Sequence, residues 1–226
     1  EIIRKHNLLV ISDEVYDELY YNNDDLTRPT RLASLPDMFD HVLTVGSAGK
    51  RFGVTGWRIG WLIGQQGILR TITAVHARTV FSAPSPLQEA CAEALSIARQ
   101  TGYFEKMRRV YKAKRDYLAR VFDRIGIQYS LPMGGYFMMA NSKNIQFPQD
   151  LAVREWDEFP GLKEPVDYQR ARWLTEHIQV ACIPPSAFYE HENLCQAEDW
   201  LRFCFCKKDE TLEAAARNLQ SLRVLG

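Results

Sequence analysis

A lysine and an arginine stand eight residues apart in Ser47-Ala-Gly-Lys50-Arg-Phe-Gly-Val-Thr-Gly-Trp-Arg58-Ile-Gly-Trp61, with a serine three residues before the lysine. An amine that attacks a carbonyl must be deprotonated and partly desolvated, and the surrounding glycines let a bulky ligand approach the backbone. Arg58 offers a planar guanidinium that grips a phosphate through two N–H groups, and Ser47 offers a hydroxyl for the same anion. Upstream, Ser12-Asp-Glu-Val-Tyr16 closes a second apolar run. A carboxylate at Asp13 can pair with a protonated ring nitrogen, and the Tyr16 phenol can point to the same place. Each residue alone is ordinary: lone lysines are usually solvated, and a lone Asp after a strand is usually a turn residue. In combination they are the set that pyridoxal phosphate (PLP) requires, an amine for its aldehyde, a carboxylate for its ring and two groups for its phosphate.

The elements that must position them read as an α/β sheet. Residues 8–11, 42–46 and 59–63 are short continuous apolar runs, as expected of parallel strands covered on both faces. Asp13 and Ser47 then follow strand ends, where ligands bind in open α/β sheets. A polar loop with turn signals, Asn22-Asn-Asp-Asp25 and Arg28-Pro29, separates the first two strands. Helical periodicity covers 68–77, and the Pro84-Ser-Pro86 break precedes a helix over 87–99. From Gly102 to Gly126 one long amphipathic helix is predicted, with Phe104, Met107, Tyr111, Leu118, Phe122 and Ile125 on its inner face. Beyond it come short strands at 127–131, 135–140, 180–183 and 201–206, with helices at 168–177 and 209–222, the last capped by Asp209. Residues 141–165 read as surface loop. The expected organisation is 1–100 as part of a large domain, 101–126 as a connecting helix and 127–226 as a small α+β domain.

Bulk properties exclude several classes. The 28 basic and 28 acidic residues cancel, which leaves no global field for nucleic acid or an anionic membrane. No apolar run approaches the ~18 residues of a membrane span. The five cysteines are odd in number and lack C-x-x-C, so they read as buried reduced thiols, although Cys204-Phe-Cys206 would set two sulfurs on one strand face. The five histidines form no metal-ligand pattern. Ser47-Ala-Gly-Lys50 also matches the S-x-x-K of serine acyltransferases, but the S-D-N and K-T-G partners of that motif are missing.

The Ser12–Tyr16 and Ser47–Trp61 segments resemble those of fold-type I PLP aminotransferases, and within them the kynurenine aminotransferases (glutamine transaminase K, cysteine-S-conjugate β-lyase). The resemblance extends through Val75-His76, Val80-Phe81, Gly134-Gly-Tyr-Phe137, Ile183-Pro-Pro-Ser-Ala-Phe-Tyr189 and Arg202-Phe-Cys-Phe205. It spans nearly the whole chain and about the C-terminal half of a family member. It implies a mostly parallel large-domain sheet with helices on both faces, 1–100 being its C-terminal part, and a soluble homodimer of the cytosol or mitochondrion. Lys50 would carry PLP as a Schiff base and then move the substrate proton; Asp13 would pair with the pyridine nitrogen and Tyr16 with the ring hydroxyl. Ser47 and Arg58 would hold part of the phosphate, and Arg202 the substrate α-carboxylate. Phe81 matches an aromatic lining the partner subunit's pocket, but Ser82 replaces a histidine of vertebrate relatives, which puts side-chain preference in doubt.

The implied reaction moves an amino group from an aromatic or sulfur-containing amino acid, such as kynurenine or glutamine, to a 2-oxo acid. An aspartate-type transaminase or β-lyase of the same fold, or a non-catalytic dimerising piece, are the alternatives. The sequence begins with Glu1, and residues 1–6 read as the last turns of a helix stopped by Asn7, so an N-terminal half of the same protein is expected. The family's ring-stacking aromatic, second phosphate loop and N-P-x-N-P-[TS]-G asparagine would lie in that half. Residues 1–226 alone are therefore expected not to transaminate.

Overall fold

The computed structural model describes residues 1–21, 28–156, 159 and 161–225, so the turn signals at 22–25 lie outside the described residues. The chain divides into two compact units, Glu1–Arg108 and Arg109–Gly226.

In the first unit a short helix, α1 (Ile2–Lys5), gives way to strand β1 (Val10–Asp13) through Asn7, at φ 46°. Asparagine accepts this left-handed backbone more readily than most side chains. β1 pairs in parallel with β2 (Val42–Ser47), from Val10 opposite Val42 to Asp13 opposite Val45. β2 in turn pairs antiparallel with β3 (Gly60–Ile63), from Thr44 opposite Ile63 to Ser47 opposite Gly60. The three strands of this chain contribute one parallel and one antiparallel pairing to the α/β sheet expected from sequence. Residues 48–59 hold only a five-residue helix and a single 3-10 turn, not the full helix that a parallel crossover usually carries, and β3 folds straight back.

Covering on both faces was also expected, and only β2 meets it, with Val42, Leu43, Thr44 and Gly46 buried. β1 alternates, leaving Ile11 exposed, and Leu62 and Ile63 of β3 are exposed as well. Helix α3 (Gln66–Thr79) buries no residue. Gly46 and Trp61 face one another across β2 and β3, and a Cβ on Gly46 would meet the Trp61 indole nitrogen at 2.1 Å. Between the hairpin and helix α4 (Ser85–Thr101), Ala48, Ile59 and Cys91 form a small core with Phe52, Trp61, Ala83 and Leu87 packed on it. α4 starts at Ser85, two residues earlier than predicted, because proline is tolerated in a first helical turn. Gly102, at φ 64°, closes α4, and α5 (Tyr103–Ile125) follows at once.

The second unit takes up α5 at Arg109 and builds an antiparallel sheet in the order β4 (Tyr129–Ser130), β5 (Phe137–Asn141), β6 (Trp200–Cys204). Its inner face is Met138 opposite Phe203 and Ala140 opposite Leu201, all buried. Phe122 of α5 meets Phe203 edge-on with ring centroids 5.2 Å apart. Helix α6 (Val166–Trp173) runs on into five residues of π-helix, Leu174–Ile178. Helix α7 (Asp209–Leu219) contributes Leu212, Ala216 and Leu219 to the core.

Three expectations need correction in this unit. Residues 180–183 form no strand: Ile183 makes a single bridge to Arg202, and Pro184 and Pro185 lack the N–H that a longer ladder needs. Asp209 is the first residue of α7 rather than its cap, which is Lys208. The carboxylate still favours the positive end of the helix from there. Among the cysteines only Cys91 is buried; Cys182, Cys204 and Cys206 are half-buried and Cys195 is exposed.

Candidate active site

Ser47 and Gly60 are the neck of a closed loop. They are the last antiparallel partners of β2 and β3, and the Ala48 N–H donates to the Ile59 carbonyl at 3.1 Å just inside them. Within the loop, helix α2 (Ala48–Phe52) carries Lys50 and is closed by Gly53 at φ 68°. A single 3-10 turn, Thr55–Trp57, then delivers Arg58. Arg58 is a non-glycine residue at φ 56°, ψ 36°, a conformation tolerated only where the surroundings enforce it. Its guanidinium donates to the Thr55 carbonyl at 3.3 Å, inside its own turn. No carboxylate pairs with Lys50 or Arg58 among the described residues.

The end of β1 lies beside this loop because β1 and β2 run parallel. Asp13 is exposed at the strand terminus, and its Oδ1 accepts the Val15 N–H at 3.3 Å, so a short Asx turn fixes its direction. The Glu14 N–H donates across to the Val45 carbonyl at 3.0 Å. Tyr16 follows, and the Lys50 ammonium lies 5.8 Å from its ring centroid. The structure thus brings Asp13, Tyr16, Ser47, Lys50 and Arg58 onto adjacent loops at the carboxyl ends of two neighbouring strands.

Beneath them lies an ion network that the sequence did not announce. Asp17 is the shared acceptor for Arg51, Arg31 and Arg28, with Arg51 Nε at 3.0 Å from Oδ1. Glu18 accepts from Arg28 at 2.5 Å and from Arg108 at 3.3 Å. The Asp17 and Arg51 side chains are only 7% and 13% exposed, so they are screened little by solvent. Because Arg51 is the residue after Lys50 and Asp17 the residue after Tyr16, this pair fastens the lysine turn to the tyrosine turn. The available sequence signal was that an acid and a base directly follow two candidate site residues.

In the second unit, Arg202 stands on β6 on the face opposite the core. Its guanidinium carbon lies 4.3 Å from the Phe137 ring centroid and 4.7 Å from that of Phe188. The Arg202 Nε is buried without a hydrogen-bond partner, and no carboxylate pairs with the side chain among the described residues. A half-buried guanidinium with its carbon over two aromatic rings can receive an anion in a preferred orientation. The Phe188 segment is anchored from below: fully buried Asp167 accepts the Ser186 N–H at 2.8 Å and the Ser186 hydroxyl at 2.7 Å. Phe137 and Phe188 sit in motifs visible in the sequence, but stacking on Arg202 could not be read from their positions there.

Phe81 follows the C-terminal end of α3 at φ 71°, and 85% of its surface is exposed. A bulky residue in the left-handed region and a solvated aromatic ring are each unfavourable, and here they coincide.

A three-stranded mixed sheet with a lysine-bearing loop at its carboxyl edge, followed by an α+β unit carrying a stacked arginine, defines an aminotransferase class. The chain belongs to the aminotransferase class I and II family, whose model matches residues 1–219. It is 38% identical to a kynurenine–oxoglutarate transaminase of Dictyostelium discoideum, over 99% of this chain and 51% of that protein. It is 36% identical to human kynurenine–oxoglutarate transaminase 3, over 97% of this chain and 47% of that protein. The crystal structure of Bna3p from Saccharomyces cerevisiae superposes with a TM-score of 0.86 at 41% identity, covering 97% of this chain and 50% of that one. The chain thus spans about half the length of the relatives it matches.

Proposed function

We propose that this chain is the lysine-bearing part of a PLP-dependent aminotransferase that moves an amino group from an aromatic or sulfur-containing amino acid to a 2-oxo acid. The observation that carries the reading is Lys50, set beside the Tyr16 ring on the loop that follows β2, the strand paired with the one that ends at Asp13, and with no acid to neutralise its amine among the described residues. The donor set matches the group: a carboxylate for a basic ring nitrogen, a phenol for the ring hydroxyl, and a hydroxyl with an uncompensated guanidinium for the phosphate. Lys50, Asp13, Tyr16, Ser47 and Arg58 are the residues that would hold PLP. When bound, PLP supplies an electron sink that acidifies the α-proton of an attached amino acid.

The chain's own residues then have separate tasks. Lys50 would take the proton from the substrate α-carbon and return it on the far side of the amino nitrogen, two atoms away. Asp13 keeps a proton on the ring nitrogen, and Arg202 orients the amino acid by its α-carboxylate. The rings beside Arg202 cover part of its side chain, and partial shielding from water strengthens an ionic hydrogen bond. Kynurenine as donor and oxoglutarate as acceptor are the choices that the names of the relatives favour. Exposed, strained Phe81 supports a second subunit as its cover, hence a homodimer, and the apolar faces of β1 and β3 support a cover from the remaining half of the same protein.

The test uses the whole protein with PLP. Wild type and Lys50→Ala are each given kynurenine, glutamine or aspartate with 2-oxoglutarate, and the glutamate produced is quantified. Turnover in the wild type and a loss of about 10²–10⁴-fold or more in the variant are expected. Equal rates in both proteins would overturn the reading.

A further inference from the structure

Strand β6 turns Leu201 and Phe203 into the core and Arg202 and Cys204 to the other face. The alternation continues one step beyond the strand. Phe205 is buried, and its N–H still donates to the Tyr136 carbonyl at 3.1 Å, so Cys206 falls on the face of Cys204. The chain turns immediately afterwards, with the Lys207 N–H donating to the Phe205 carbonyl at 2.9 Å. Side chains two apart on one strand face stand about 6.6 Å apart at Cα and nearly as far at Cβ, wider than the roughly 3.5–4.5 Å Cβ separation of a disulfide. Closing a bridge therefore draws on the turn at Cys206, past the last residue of β6. The two thiols are free and half-buried.

The surroundings of the two sulfurs differ. The Cys206 thiol donates to the Tyr111 hydroxyl of α5 at 3.5 Å, and once the thiol ionises the phenol donates in its place. Lys114 of α5, with Lys207 and Lys208, lines the open cleft in which Cys206 sits. Asp209 of α7 is occupied by Lys114 at 3.1 Å. The hydrogen bonds from Cys204 and Tyr111 and the charges of Lys207 and Lys114 outweigh burial and bring the Cys206 thiol down to about 6. The same hydrogen bond, together with burial, raises Cys204, so the shared proton resides there. Cys206 is therefore the thiol of the pair that ionises first, and it holds more thiolate at neutral pH than an ordinary cysteine.

We propose that Cys206 and Cys204 form a peroxide-reactive dithiol site, with Cys206 as the attacking sulfur and Cys204 as the resolving one. The Cys206 thiolate attacks one oxygen of hydrogen peroxide; the S–O bond forms, the O–O bond breaks, and hydroxide leaves and takes up a proton as water. Cys206 is now a sulfenic acid. Cys204 attacks that sulfur; the S–S bond forms, the S–O bond breaks, and a second water carries away the Cys204 proton. Two thiols have lost two hydrogens and one peroxide has become two waters. A thiolate of low pKa, accessible and next to a resolving cysteine, is the arrangement that redox-sensing sites share. The site is independent of PLP and of the reading of the lysine loop.

The experiment treats the whole reduced protein with graded hydrogen peroxide, alkylates the remaining thiols and maps the peptides by mass. The peptide holding Cys204 and Cys206 should lose about 2 Da and regain it with dithiothreitol, before the exposed Cys195 reacts. Cys204→Ser should leave a dimedone-reactive sulfenic acid at Cys206, whereas Cys206→Ser should give neither disulfide nor adduct. Without peroxide, the pH profile of Cys206 alkylation should have a midpoint near 6, and Tyr111→Phe should move it upward. Three results overturn the proposal: a dithiol still fully alkylated after excess peroxide, Cys195 oxidised first, or dimedone on Cys204 in Cys206→Ser.

Discussion

The Arg202 guanidinium lies over the Phe137 ring, 4.3 Å from carbon to centroid, and the two residues sit on neighbouring strands two register positions apart, Arg202 pairing with Met139 and Phe137 with Cys204. Stacking fixes the plane of the guanidinium and so the direction of its paired N–H groups. A lysine at 202 would keep the charge and lose that direction. Arg202→Lys should lower kcat/KM for an amino acid by about 30- to 5000-fold, the equivalent of roughly 2–5 kcal/mol for a desolvated charge pair. The decarboxylated amine of the same substrate should be spared. Equal losses on both would make Arg202 structural.

Asp13 can be tested by an isosteric change. Asp13→Asn keeps a carbonyl oxygen to accept the Val15 N–H and removes the charge. PLP binding should weaken only modestly, while turnover falls by about 10²–10⁴-fold because the ring is no longer held as a cation. Near-normal turnover would show that Asp13 is a turn residue and nothing more.

Attachment at Lys50 has a direct chemical readout. Borohydride reduction of the whole protein with PLP, followed by peptide mapping, should leave the pyridoxyl mass on Lys50. The mass on Lys143 or any other lysine would refute the assignment.

The network around Asp17 should show itself in stability. Asp17→Ala leaves Arg51, Arg31 and Arg28 without their common acceptor, and because Arg28 and Arg31 are partly exposed the cost falls to about 1–3 kcal/mol, that of a lost hydrogen-bond partner. Urea unfolding should report that loss, and Asp17→Asn, which still accepts hydrogen bonds, should lose less. A midpoint unchanged in both variants would mean that solvent screens the network completely.

Asp167 gives a pH signature. Burial raises its pKa, while hydrogen bonds from Ser186 and Tyr168 oppose the shift. A folded-state value above the unfolded value, about 3.9, means that the folded protein holds the proton more tightly. The stability difference between wild type and Asp167→Asn should therefore fall as pH rises from that value through the raised one, and level off above it. A difference that grows across the same window would show that the Ser186 hydrogen bonds prevail over burial.

The family was legible because its marks are local. A glycine-rich turn directly after an apolar strand, with Lys50 and Arg58 inside it, survives as a continuous string of letters. The same locality located α5 between its two glycines to within a residue at each end. What escaped was long-range or competitive. Asp17 meets Arg51 across 34 residues of sequence, and nothing in either neighbourhood specifies the other. The direction of β3 also escaped, because an apolar run reads alike in parallel and antiparallel sheets. Residues 180–183 had the composition of a strand, but two prolines removed the donors that a ladder needs.

One feature of the sheet reaches beyond chemistry to ancestry. The Trp61 indole lies flat on the backbone of Gly46, where even a methyl group would overlap it. Aromatic rings often cover strand glycines in this way. Neither position can drift by itself: a larger residue at 46 evicts the ring, and a smaller one at 61 uncovers bare backbone beside the lysine loop. The two sites form a single heritable character, so descendants of this chain should either keep both residues or exchange both together. A library randomised at both positions and selected for folding should return paired solutions, with single changes at 46 nearly absent.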